Sequence, residues 1–258
     1  MHRVHLPAPA LHNSILPCFF LQAVWRKIEV QERSLPARYP AVPRKELFMA
    51  HLLYIEASPR KDRSASIEVA RAFLEGYRAA HPDDTIETID LWHTQLPEFD
   101  GETINAKYAI LMSKMHTDEQ KAAWRPVEEL IAQFKRADKY LLSLPMWNYG
   151  IPYKLKHYLD LLVQPGYTFS YTPMEGYKGL VTGKPVALVY ARGGAYGAET
   201  GAQGYDFQTT YMNLALQFIG FADIRSIIVE PMLTAEVHDK VRIIAATRQQ
   251  AEEMAKTF

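Results

Sequence analysis

The chain has 258 residues, 48% of them hydrophobic, with 29 acidic side chains against 29 basic ones. That length can bury a full core as one large domain, or as one domain with an appendage. Zero net charge gives no field to gather polyanions, so nucleic acid is not an expected partner, and the single cysteine, Cys18, excludes an internal disulfide or a cysteine-rich metal site.

Residues 1–48 hold six of the sixteen prolines and no sustained periodicity. Their one apolar run, Ile15 to Trp25, is interrupted by Pro17 and Gln22 and is too short to span a membrane. No convincing small-x-small cleavage site follows, so no secretory signal is expected. Met49 stands directly before a clean strand. The expected division is an extension or mis-called start over 1–48 and a folded domain over 49–258. Low cysteine content favours a reducing compartment, and the expected location is cytoplasmic, with no membrane partner.

From Met49 the pattern alternates. His51–Glu56 is a short apolar run ending at Ala57-Ser58-Pro59, as a buried strand entering a loop would. Ser64–Ala80 carries Ile67, Ala70, Phe73, Leu74 and Tyr77 at helical spacing. After the breaker His81-Pro82-Asp83-Asp84, Thr85–Leu91 alternates as a more exposed strand does. A polar stretch, 92–118, precedes a helix expected from about Glu119 to Arg136 with Asp118 as its cap. Lys139–Leu144 is the third strand, and Pro152 suits the first turn of a helix over Tyr153–Val163. Pro185–Ala191, the most apolar strand, is expected at the centre of the sheet. Helix Gln203–Ile219, strand Ile224–Val229 and helix Glu236–Lys256 complete the series.

Strand and helix alternating five times predict an α/β protein with a parallel sheet between helical layers. Five strands over about 200 residues match a flavodoxin-like three-layer sandwich better than a six-stranded dinucleotide fold. Such sheets bind ligands beyond the carboxyl ends of their strands. Those ends are loops 57–66, 92–118, 145–152 and 191–204.

The first loop places Ser58, Ser64 and Ser66 at a helix N-terminus, where free amides and hydroxyls suit a phosphate. Serine also caps helices, so the run reads equally as a cap. Lacking glycine, it is neither a Walker loop nor a dinucleotide fingerprint, and Gly179 to Pro185 has the wrong spacing for one. The second loop, Pro145 to Pro152, sets Met146, Trp147, Asn148 and Tyr149 between two prolines, a wall suited to a flat heteroaromatic ring. Aromatics at such a place also serve as ordinary core. The third, Ala191-Arg192-Gly193-Gly194, would let backbone approach a ligand, or simply turn. The nine histidines show no metal-ligand spacing, His157 reads as structural, and there is no G-x-S-x-G nucleophile elbow.

From Met49 onward the sequence resembles the bacterial FMN-dependent NADH azoreductases and quinone reductases of flavodoxin-like fold. The resemblance implies that Ser58, Ser64, Ala65 and Ser66 hold the FMN phosphate, and that Met146, Trp147, Asn148 and Tyr149 flank the isoalloxazine. It also puts Ala191, Arg192, Gly193 and Gly194 at the pyrimidine edge, with Ala191 where the family usually has serine. Tyr196 is a candidate for the acceptor pocket. The implied reaction is ping-pong: NADH or NADPH reduces FMN, and a quinone or azo acceptor then collects two electrons, with no obligate catalytic side chain because the flavin carries the chemistry. The resemblance further implies a homodimer with the flavin at the junction, over which segment 92–118 could reach. A flavodoxin-type electron carrier and a flavin-free regulatory domain are the alternatives.

Overall fold

The computed structural model describes residues 49–111 and 117–258, so the expectations for 1–48 lie outside the described residues. The strands are β1 (His51–Glu56), β2 (Thr85–Asp90), β3 (Lys139–Pro145), β4 (Phe169–Thr172), β5 (Gly176–Gly179), β6 (Val186–Ala191) and β7 (Ile224–Val229). The α-helices are α1 (Ala65–Ala80), α2 (Gly101–Leu111), α3 (Asp118–Arg136), α4 (Tyr153–Leu162), α5 (Phe207–Ile219) and α6 (Val237–Lys256).

Five strands form one sheet in the order β2-β1-β3-β6-β7, with every neighbouring pair parallel. This is the flavodoxin-like order, and the chain reverses its direction of travel between β1 and β3. Here β3 is the central strand, and β6, expected there for its apolarity, lies between β3 and β7. Both are sandwiched between helical layers, so a fully apolar strand need not be the central one.

The pleat sorts the core into two layers. Leu53, Ile55, Leu142, Leu144, Leu188 and Tyr190 pack with α3, α4 and α5, including Val127, Ile131, Leu155, Leu159 and Leu216. Their sequence neighbours Leu52, Tyr54, Leu141, Ala187 and Val189 meet α1 and α6 through Val69, Phe73, Tyr77 and Ala251. A period of two along each strand thus feeds two helical layers with a period of 3.6. Burying a single Leu or Phe side chain from this set contributes about 1.5–3 kcal/mol.

Three local features differ from expectation. Helix α3 is capped by Thr117, whose hydroxyl accepts from the Gln120 amide at 3.2 Å while the Gln120 side chain accepts from the Thr117 amide. Thr117 completes this reciprocal capping box, and Asp118 is the first helical residue. The polar stretch after β2 contains α2, whose buried residues include Thr103, Ala106 and Ala109. Between α4 and β6 runs a small antiparallel hairpin, β4 with β5. It ends where Gly179 presses on the backbone of Gly220: a Cβ on Gly179 would lie 2.3 Å from the Gly220 nitrogen. The Gly179–Pro185 run is therefore a packing device. Its Lys184 ammonium donates to the Lys135 carbonyl at 2.7 Å and to the Ala137 carbonyl, at the carboxyl end of α3.

Candidate functional site

Three strand ends finish level with one another. The Ala57 amide donates to Ser143 O at 2.9 Å, Met146 to Ala191 O at 2.8 Å, and Arg192 to Val229 O at 3.0 Å. The loops that follow β1, β3 and β6 therefore leave the sheet side by side at its switch point. A cavity of about 300 Å³ opens among them. Eight sequence-predicted residues line it: Ser58, Ser64, Ala65, Met146, Trp147, Ala191, Arg192 and Gly193. Ser66 is buried beneath, its hydroxyl 3.1 Å from that of Ser64. Asn148, Tyr149, Gly194 and Tyr196 are not in this lining.

Arg60 and Arg63 also border the cavity, as do Met232 and Leu233 from the segment after β7. The arginines were visible in the first loop as charges. The β7 pair carried no signal, because only the folded chain brings that segment beside the third loop.

The first-loop end of the cavity is built for an anion. Ser64 stands at the N-cap of α1 with no side-chain bond to the helix amides. The first-turn amides keep their donors, together with the positive end of the helix dipole. Lys61 is committed to Glu56 and Asp90, and Asp62 pairs with Arg71 at 2.7 Å. Among the described residues Arg60 and Arg63 have no ion pair. Lys61 takes a left-handed backbone, φ +48°, as the loop folds over.

The second loop is a tight turn closed by reciprocal bonds, Trp147 N to Gly150 O at 3.0 Å and Gly150 N to Trp147 O at 2.9 Å. Both central residues, Asn148 (φ +47°) and Tyr149 (φ +69°), are left-handed, the pattern of a type I′ turn. Tyr149 is half exposed. Its ring lies 6.4 Å from Tyr196 and 5.5 Å from Tyr205. On the other side, Trp147 and Asn148 border a broader groove of about 700 Å³ with Glu98, Phe99, Tyr153 and His157. Trp147 lines both spaces, and His157 Nε2 is tied to the Pro97 carbonyl at 2.9 Å.

In the third loop, a Cβ on Gly193 would meet Leu233 Cδ1 at 2.7 Å, so the missing side chain makes room for the β7 segment. That segment is stitched on by Met232 N to Arg192 O and Leu233 N to Gly193 O, both 2.9 Å. The guanidinium of Arg192 is nearly inaccessible and is bound by Asp206 at 2.9 Å and Glu230 at 3.3 Å.

The family model described as a flavodoxin-like fold matches residues 50–255. An FMN-dependent NADH:quinone oxidoreductase of Desulfotalea psychrophila is 49% identical over 208 residues, covering 81% of this chain and 97% of that relative. One from Nitratidesulfovibrio vulgaris is 46% identical over 210 residues, covering 81% of this chain and all of that protein. The chain belongs to the FMN-dependent NADH:quinone oxidoreductase family. Among solved structures, the azoreductase of Bacillus anthracis strain Sterne superposes with a TM-score of 0.74 at 31% identity, covering 81% of this chain and 100% of that one. An FMN-dependent NADH-azoreductase of B. anthracis strain Ames Ancestor, in complex with FMN, gives 0.73 at 28% identity, covering 81% and 99%. All three rim loops of this oxidoreductase fall inside the matched span.

Proposed function

We propose that the protein binds FMN in the switch-point cavity and transfers two electrons from NADH to quinone or azo acceptors in a ping-pong cycle. The observation that carries this reading is the division of one cavity into two chemistries. The uncapped start of α1, the Ser58 and Ser64 hydroxyls and the Arg60 and Arg63 guanidiniums, without an ion pair among the described residues, lie at one end, and Met146, Trp147 and the Gly193 backbone at the other. A phosphate fits the first set and a flat ring the second, so the donor set agrees with FMN.

FMN, when bound, supplies the redox chemistry, taking two electrons as hydride from the nicotinamide and returning them to the acceptor. The chain's own residues bind and orient it. Ser58, Ser64, Arg60 and Arg63 would hold the phosphate, and Met146 and Trp147 would fix the ring plane. Amides of the rim would favour negative charge on the ring's polar edge. Donor and acceptor would share the remaining open face in turn.

Two further readings go with this one. The protein acts as a homodimer, supported by the exposed Tyr171, Met174 and Tyr177 of the hairpin and the exposed Leu214 of α5. It works in the cytoplasm, away from the bilayer, a reading that rests on the low cysteine content.

The test is to purify the chain with FMN, measure the flavin bound per chain, and follow NADH oxidation with menadione. Stoichiometric flavin and parallel-line double-reciprocal kinetics are expected. A chain that folds but takes up no FMN would overturn the proposal.

A further inference from the structure

Arg192 borders the cavity, yet its side chain is spent on the protein. The guanidinium, 1% exposed, sets Nη2 2.9 Å from an Asp206 carboxylate oxygen, a charge contact without hydrogen-bond alignment, and donates through Nη1 to Glu230 at 3.3 Å. Its Nε donates to the Gln208 side-chain carbonyl at 3.1 Å. One buried cation thus joins three separate places: the third loop, the start of α5 and the end of β7.

Each partner also holds something else at the rim. Glu230 accepts the Tyr196 amide at 3.2 Å. Asp206 directly follows Tyr205 and accepts the Thr209 amide at 2.9 Å, starting α5. Gln208 reaches back to the Leu144 carbonyl at 3.4 Å, beneath the second loop. The network therefore fixes the backbone at Tyr196 and Tyr205, and both rings pack on Tyr149. The result is a wall of three tyrosines beside the Trp147 turn, with Tyr149 and Tyr205 both at least half exposed.

We propose that Arg192 is a positioning residue, whose ion pairs to Asp206 and Glu230 hold a Tyr149–Tyr196–Tyr205 wall that selects planar ring acceptors over compact ones. This rests on the oxidoreductase reading above. The wall offers rigid aromatic faces at little cost in side-chain entropy, which benefits a flat polycyclic molecule and gives nothing to a compact inorganic oxidant. Two carboxylates converge on one guanidinium, so the arrangement depends on the cation: without it, like charges face each other in a nearly dry site.

The experiment uses the full chain loaded with FMN and two variants chosen to keep the backbone bonds of Asp206 and Glu230 while removing their charge. Asp206→Asn retains a good helix cap, and Glu230→Gln retains an acceptor for Tyr196. Equilibrium binding of menadione, without NADH, is read by quenching of aromatic fluorescence, and FMN affinity and the thermal midpoint are measured alongside. In at least one well-folded variant, menadione affinity should fall at least fivefold while FMN affinity moves less than twofold. In turnover the KM for menadione should rise at least fivefold more than the KM for ferricyanide. Unchanged menadione affinity in both variants, or equal shifts for ring and compact acceptors, would overturn the inference. The binding measurement needs no turnover, so an FMN-loaded protein that binds menadione but fails to oxidise NADH would refute the proposed activity and leave this inference standing.

Discussion

Ser64 and Ser66 place their hydroxyls 3.1 Å apart at the start of a helix that the Ser64 side chain does not cap. A serine at an N-cap normally spends its oxygen on the helix amides, which contributes about 1 kcal/mol. Here that contribution is withheld and the amides keep their donors.

The first prediction follows from it. Ser64→Ala loses the bond to the Ser66 hydroxyl but no cap bond, so it should cost only about 0.5–1.5 kcal/mol of stability. It should weaken FMN binding by about 1.5–3 kcal/mol, the range for a hydrogen bond to a charged group, or roughly ten- to hundredfold. Fluorescence titration with FMN and a thermal melt on the same sample measure both. A variant that loses stability but keeps its affinity would return Ser64 to an ordinary structural role.

Much of this site is legible in the sequence. Strands β1, β3 and β6 are apolar runs ended by Pro59, Pro145 and the Gly193–Gly194 pair, and an alternating α/β pattern puts such ends on one rim. Helix α2 was missed because its buried residues include the small Ala106 and Ala109, which make no apolar stripe. The β4–β5 hairpin carries almost no periodic signal because its strands have four residues each and none of them is buried. The commitment of Arg192 was hidden for a different reason. Its partners Asp206 and Glu230 are distant in sequence, and only the placement of β6 between β3 and β7 gathers them.

Acid should act on the turn between α1 and β2. The Asp84 carboxylate accepts from the Tyr77 hydroxyl at 2.5 Å and the Ala50 amide at 2.8 Å, with the Lys139 ammonium 3.6 Å away. Partial burial opposes ionisation, but these partners, with a smaller contribution from nearby His81, outweigh it and hold the group below the ordinary carboxylate range. Between the lowered folded value and the ordinary one, about 4, the unfolded chain takes up a proton that the folded chain refuses. Stability from this group is therefore full above about pH 4 and is lost as pH falls through the folded value. Thermal midpoints scanned from neutral pH downward should fall more steeply in the wild type than in Asp84→Asn. Parallel curves would remove Asp84 from the account.

Gly179 tests the contact between the hairpin and the loop after α5. A methyl group there would lie 2.3 Å from the Gly220 nitrogen and 2.4 Å from its Cα, both backbone atoms with little room to yield. Gly179→Ala should therefore cost about 3 kcal/mol, at the upper end of overpacking penalties. Chemical denaturation would measure it. A loss under about 1 kcal/mol would mean that the hairpin moves freely and is not a rigid platform.

Tyr149 offers the sharpest separation of stability from function. It occupies the second position of a type I′ turn at φ +69°, where glycine is the natural residue after Asn148. A non-glycine residue in that region costs roughly 1–2 kcal/mol. The ring recovers little of this, since it is half exposed and its main contacts are Tyr196 and Tyr205. Tyr149→Gly should therefore hold or raise stability, by about 1 kcal/mol, while increasing the KM for ring-bearing acceptors severalfold. Denaturant unfolding and steady-state kinetics with menadione measure the two effects. A variant that gains stability at unchanged KM would show that the strained tyrosine does nothing for the acceptor, whereas a loss of stability would place its ring among the residues that hold the rim together.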